Sequence, residues 1–314
     1  MPERRLAWLA LALVGACALF MTLGARGNWD FVLAFRGAKL AALLIVGAAI
    51  AVSTILFQTI SGNRILTPSI MGFDALFVLF QTLLVFAIGG FGVAQLSQGL
   101  RFAMEFSLLL GAAVLLFGTL LSRARHDMHR TVLTGIIFGV LFHSLTAFIQ
   151  RLIDPNEFAI VQVNSFARFN AVETDLLGIS ALLCAIGIAA AWRYRHRLDV
   201  IALGRDQAIS LGVDHRRAVF AILMIVALLV SVSTALAGPV TFFGLLVSSL
   251  AHSAMKTHRH ALLLPAAALI SGIVLVAGQT VTERILALAT PLSVSVEFLG
   301  GLVFLLLVLK GSQR

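Results

Sequence analysis

Between Phe35 and Ile60 the chain reads FRGAKLAALLIVGAAIAVSTILFQTI. Arg36 and Lys39 stand at its start, and no charged side chain follows Lys39 within the stretch. A helix needs roughly 20 apolar residues to cross a bilayer. An uncharged run of this length, with no turn signal, reads as a membrane span. Working outward, similar apolar segments lie at about 6–24, 39–60, 69–88, 102–121, 131–150, 175–192, 218–236, 241–255, 261–278 and 292–309. The expected fold is therefore all-α: a polytopic membrane protein with about ten transmembrane helices. Composition agrees, with 60% hydrophobic and 12% charged residues and a mean hydropathy of +1.02, far from a soluble domain. Ten spans use about 200 positions, so residues 1–314 read as a single transmembrane domain. Pro68, Pro239 and Pro291 sit at or just before the starts of three spans, where a missing N–H costs least.

The opening MPERRLAWLALALVGAC imitates a signal peptide, and Val14 to Cys17 imitates a lipoprotein cleavage box. The apolar run nevertheless continues through Leu23, so 6–24 reads as the first span. Cys17 and Cys184 both fall in apolar runs, which argues against a disulfide scaffold or a thiolate metal site. Lysine and arginine set the orientation. With the N-terminus inside, sixteen of the 23 cations face inward, and both termini are then cytoplasmic. The net charge of +9 is mostly this topology signal and does not imply a nucleic-acid partner.

Six of the sixteen inner cations lie in one loop, 193–217, which contains LGRDQAISLGV, Leu203 to Val213. Asp199 is expected to cap a helix beginning near Val200, Gly212 to end it left-handed, and Asp214 to cap the next helix. The result is a helix, an elbow and a second helix. Gly204, Ala208, Leu211 and Gly212 are expected on one face, where small residues would let another surface approach closely. Two readings stand on these residues alone: an interfacial helix on the headgroups, or a docking element for a partner protein. No Gly-rich loop ending in Gly-Lys-Ser or Gly-Lys-Thr is present to bind ATP.

LGRDQAISLGV resembles the cytoplasmic coupling segment of the permeases of binding-protein-dependent ABC importers for iron-siderophores, haem and vitamin B12. FRGAKLAALLIVGAAIAVSTILFQTI is similar to the family's second span. AGPVTFFGLLV, Ala237 to Val247, resembles its Ala-Gly-Pro motif, and the last span from Pro291 through Gly300, Gly301 and Phe304 also fits. NRILTPSIMGFDALFVLFQT, Asn63 to Thr82, looks like the branch carrying ferric siderophores, particularly catecholate-type ones.

The resemblance implies a vitamin-B12-importer-like permease fold, multi-pass in the bacterial inner membrane, with no enzymatic activity and no cofactor of its own. It implies three protein partners: a cytosolic ATP-binding subunit dimer, a periplasmic or lipid-anchored siderophore-binding protein, and a second permease chain, with a heterodimer favoured. Membrane lipid is the remaining partner. Coupling to the ATPase would fall to Leu203, Gly204, Arg205, Asp206, Gln207, Ala208, Leu211 and Gly212. Docking of the binding protein would fall to Arg36, Lys39 and, as a third contact, Arg284; interfacial anchoring is the other reading of the first two. Ser53, Gln58, Thr59, Gln81, Asn164 and Thr241 are candidates for the translocation path, with Gly238 and Pro239 starting a short helix at the outer mouth. Iron would travel inside its chelator, so no protein ligand to metal is required. The alternatives are a haem or vitamin B12 carrier of the same family, or a self-contained secondary transporter.

Among the acids, Asp74 and Glu105 are expected to be structural and near span ends, while Glu297 has no assigned part. His126, His129, His252, His258 and His260 read as solvated loop residues, and His143 as hydrogen-bonded within the fifth span.

Overall fold

The computed structural model describes residues 2–24, 29–123, 128–167, 169, 174–284 and 292–311. Thirteen α-helices are described: α1 (Pro2–Thr22), α2 (Trp29–Ser61), α3 (Phe73–Gln95), α4 (Gln98–Arg123), α5 (Met128–Gln150), α6 (Pro155–Asn164), α7 (Thr174–Arg193), α8 (Arg195–Ile201), α9 (Arg205–Ser210), α10 (His215–Ala237), α11 (Phe243–Met255), α12 (His260–Arg284) and α13 (Leu292–Gly311). Eight are long and apolar enough to cross a membrane: α1, α2, α3, α4, α5, α7, α10 and α12. Helices α11 and α13 contribute shorter apolar stretches, so the ten segments expected from hydropathy are all present as helices. The chain is a multi-pass membrane protein of all-α class.

Burial sorts these helices into a centre and a rim. In α10 and α2, 72% and 67% of the most apolar window is buried, against 6% in α1. The central pair is rich in small and β-branched residues, and Ala42, Ala49, Ala51, Ser53, Val226, Ala227 and Ser231 are almost fully enclosed. That is expected where lipid offers no hydrophobic drive and helices gain by close packing instead. α12 lies on one side of α2, and α4 and α7 lie against α10. On the rim, α1 turns Trp8, Leu11, Val14 and Leu19 outward.

Two backbone breaks interrupt the bundle. After α2, residue Thr67 is extended, Pro68–Met71 form a 3-10 turn, and Gly72 is left-handed at φ 93°. A Cβ on Gly72 would stand 2.9 Å from the Cα of Gly139, the twelfth of the 23 residues of α5. Only glycine fits, by both conformation and space. Helix α3 therefore starts halfway along its neighbour, later than the expected 69, and its upper part is kinked at Gly89. The second break separates α10 from α11: Gly238, at φ 97°, packs against the backbone of Phe166 and Ala167, and residues 239–242 are non-helical. Non-helical backbone at such depth is tolerated where protein covers it.

Helix α6 is an element that hydropathy did not indicate. Its signal is local: Asp154 accepts a hydrogen bond from the Asn156 amide, and Pro155 opens the helix. Its Glu157 accepts from the Gly90 amide beside the α3 kink.

Candidate functional site

At one end of the bundle, α8 and α9 form the expected elbow. Leu198 and Ile201 of α8 are buried, and α8 packs on α2 and α12. Gly204, at φ 105°, turns the chain into α9. Helix α9 ends in a Schellman motif: the Val213 amide donates to Ala208 O (3.0 Å) and the Gly212 amide to Ile209 O (2.9 Å), with Gly212 at φ 81°. Asp214 then caps α10 by accepting from the Arg217 amide at 3.1 Å. The left-handed Gly212 and the Asp214 cap are as the sequence predicts.

Two expectations for the elbow need correction. Asp199 does not cap a helix beginning near Val200; it lies inside α8, and its Oδ1 instead accepts from the amide of His260, the first residue of α12, at 2.8 Å. The single small-residue face is also split. Ala208 is fully buried, because its side of the short helix turns in toward the chain, while Gly204, Leu211 and Gly212 are exposed. What α9 and its flanks present outward is apolar and large: Leu203, Ile209 and Leu211, each more than half exposed, among the exposed Arg205, Asp206 and Gln207.

Beneath the elbow runs a polar chain that composition did not suggest. His260 Nδ1 lies 2.7 Å from Asp199 Oδ1, and His260 Nε2 lies 2.7 Å from Thr59 Oγ1, which itself donates to Ile55 O. His260 is 3% exposed, not a solvated loop residue. The imidazole thus ties α8 to the end of α2 through the start of α12. Gln58, one residue earlier, donates to Arg64 O at 2.6 Å and to Ser248 Oγ at 2.9 Å, pinning the loop after α2 to α11. The Arg5 guanidinium donates to Ala254 O, so the N-terminal end of α1 meets the end of α11.

Near the other end of α2, Arg36 and Lys39 are both engaged within the chain. Arg36 donates to the carbonyls of Phe20, Met21, Leu23 and Gly24, at 2.9 to 3.4 Å, and so caps the C-terminal end of α1. Lys39 is buried, with Nζ 2.6 Å from Glu283 Oε1 and 5.0 Å from the Phe35 ring centroid; Gln279 donates to the same carboxylate oxygen. Arg284 is the exposed cation of the three and lies beside Gly24. Glu283 was not singled out by sequence, since its partner is 244 residues away.

The path candidates separate. Ser53 and Thr241 line a small buried cavity of about 10 Å³ together with Thr54, Thr67, Ser69, Asp74, Ser233 and Thr234. Pro239 is buried in the second break beside it. Gln81 is drawn elsewhere: Arg101 donates to Gln81 Oε1 at 2.7 Å and to Glu105 Oε1 at 2.8 Å, and Gln81 Nε2 donates to Glu105, closing a polar triangle between α3 and α4. Gln58 and Thr59 belong to the elbow end, as described. The Asn164 side chain, like His126 and the side chain of His129, lies outside the described residues. Asp74 lies in the first turn of α3, near the span's start as expected, but because α3 starts halfway along α5 its carboxylate lies inside the bundle and not at the membrane surface.

Known proteins are similar to this chain over most of its length. The chain is 42% identical over 287 residues to the petrobactin import system permease protein YclO of Bacillus subtilis, covering 91% of each chain. It is 31% identical to the petrobactin import system permease protein FatC of Bacillus anthracis, covering 88% of this chain and 78% of that one. A solved structure of an inward-facing metal-chelate type ABC transporter superposes with a TM-score of 0.84 at 21% identity, covering 99% of this chain and 100% of that one, which shows the fold. A family model matches residues 8–310, and on that match the chain belongs to the FecCD transport family.

Proposed function

We propose that this chain is the permease subunit of a binding-protein-dependent ABC importer that carries a ferric siderophore across the bacterial plasma membrane. The observation that carries the reading is the 42% identity, over 91% of both chains, to a permease of a petrobactin import system. Residues 1–314 would act as one permease unit, with 193–217 as its coupling loop and the elbow end facing the cytosol. The ATPase would seat on the ridge of Leu203, Ile209 and Leu211, with Arg205, Asp206 and Gln207 making polar contacts at its edge. Exposed large apolar side chains at a polar, loop-rich end suit a protein partner better than water. Motion of the elbow would pass to α2 and α12 through buried Leu198 and Ile201 and through the Asp199–His260–Thr59 chain. Because α2 lies at the centre of the bundle, a shift there reaches the polar interior.

At the opposite end the binding protein would meet exposed Arg284, with Arg36 and Lys39 shaping that surface from below. A second permease chain completes the pathway, and a different chain is favoured over a second copy. The test is reconstitution in proteoliposomes with the cognate ATPase and binding protein. Radiolabelled ferric siderophore should enter only when ATP and all subunits are present. Uptake by this chain alone under an ion gradient would identify a secondary carrier and overturn the reading.

A further inference from the structure

The two backbone breaks meet at the polar cavity. Thr67 and Ser69 come from the first break, Thr241 from the second, Asp74 from the first turn of α3, and Thr54 from the last third of α2. Three oxygens here are buried without a hydrogen-bond partner among the described residues: Thr54 Oγ1, Thr67 Oγ1 and Asp74 Oδ2. Thr54 and Thr67 are 1% and 2% exposed. Buried polar atoms are rarely left unpaired, and three in one cavity indicate a shared ligand. The Ser69 and Thr241 hydroxyls line the same cavity beside the Asp74 carboxylate.

Donor chemistry narrows the ligand. The lining groups offer oxygen only, which suits a hard cation. Among the described residues, no three His, Cys, Asp or Glu side chains gather as a transition metal would require. The titratable groups that face Asp74 are His143 on α5 and Glu297 on α13. Among the described residues, no lysine or arginine lines the cavity to neutralise the carboxylate. One carboxylate in the inner shell matches one positive charge, and a volume of about 10 Å³ is close to the smallest that holds a single water. Broken helices with hydroxyls and free backbone carbonyls inside a bundle are also the setting in which membrane proteins bind sodium.

We propose that the cavity formed by Thr54, Thr67, Ser69, Asp74 and Thr241 binds one sodium ion, which holds the two backbone breaks together. The site is a property of the permease itself and does not depend on which substrate it carries. The sodium would join α2, α3 and the Gly238–Phe242 break, and of these α2 is the element that the coupling route reaches.

The test uses the full chain in lipid nanodiscs, with ²²Na⁺ binding and thermal unfolding measured in NaCl, KCl and choline chloride at equal ionic strength. Saturable ²²Na⁺ binding is expected, with an unfolding midpoint that climbs with NaCl concentration and not with choline. Asp74→Asn should abolish both effects, and Thr54→Val should weaken sodium affinity about tenfold. If Asp74→Asn fails to fold, wild-type binding and the Thr54→Val shift decide. Absence of saturable sodium binding to the wild type overturns the proposal and leaves the cavity to water or a proton on Asp74. Equal affinity for potassium, or sodium binding retained in Asp74→Asn, overturns it as well.

Discussion

Lys39 shows how a residue's type can be read from sequence while its work cannot. A lysine beside an arginine at the head of an apolar run suggests a basic patch for an acidic partner or the headgroups. In the fold its ammonium is enclosed with Glu283, the two side chains being 8% and 13% exposed. Removing one member of a buried ion pair strands the other charge, at a cost of about 3–5 kcal/mol, whereas replacing both by apolar groups is close to neutral. Lys39→Met should therefore lower the stability of the permease in micelles by about that amount. The double variant Lys39→Met with Glu283→Met should return to within about 1 kcal/mol of wild type. Equal losses in the single and double variants would show that Lys39 works through contacts other than Glu283. Arg36 makes the same point, since four carbonyls at the end of α1 claim a guanidinium that sequence alone leaves free.

At the scale of the element, the elbow separates what local chemistry determines from what packing determines. Gly212 and Asp214 act as expected, because a left-handed stop and an N-cap depend on neighbours within a few residues. The outward face of α9 depends on which side meets the rest of the chain, and that reverses the expected part of Ala208. With Ala208 fully buried, Ala208→Trp should dislodge α9 from its seat and lower stability. Ile209→Asp and Leu211→Asp should leave insertion and stability nearly unchanged, since both side chains are already exposed, and weaken ATPase association at least about tenfold. Co-purification of the ATPase with each variant checks this; undiminished capture by the aspartate variants would move the docking face elsewhere. Helix α6 was not read from the sequence, because ten amphipathically weak residues carry little hydropathy signal; Asp154 and Pro155 at its start are local marks of it.

For the whole molecule, the question is how one end of the bundle influences its centre. His260 contacts α8 through Asp199 and α2 through Thr59, so it is a positioning residue between the elbow and the central helix. His260→Ala should keep the ATPase bound and hydrolysing while siderophore carried per ATP falls about tenfold, a typical coupling free energy between sites. An unchanged ratio of transport to hydrolysis would remove this chain of contacts from the coupling route. Sequence by itself determined the all-α class, the ten apolar segments, the elbow's stop and cap, and the family resemblance, because hydropathy, capping and motif spacing are written in consecutive residues. Tertiary structure alone decided that Gln81 closes on Arg101 and Glu105, that Lys39 finds Glu283, that His260 is buried on Asp199, and that Asp74 begins its helix halfway along α5. The physical reason is common to all four. A polar side chain in an apolar bundle takes the partner that spares it desolvation, and that partner is brought near by helix packing, not by the order of the chain.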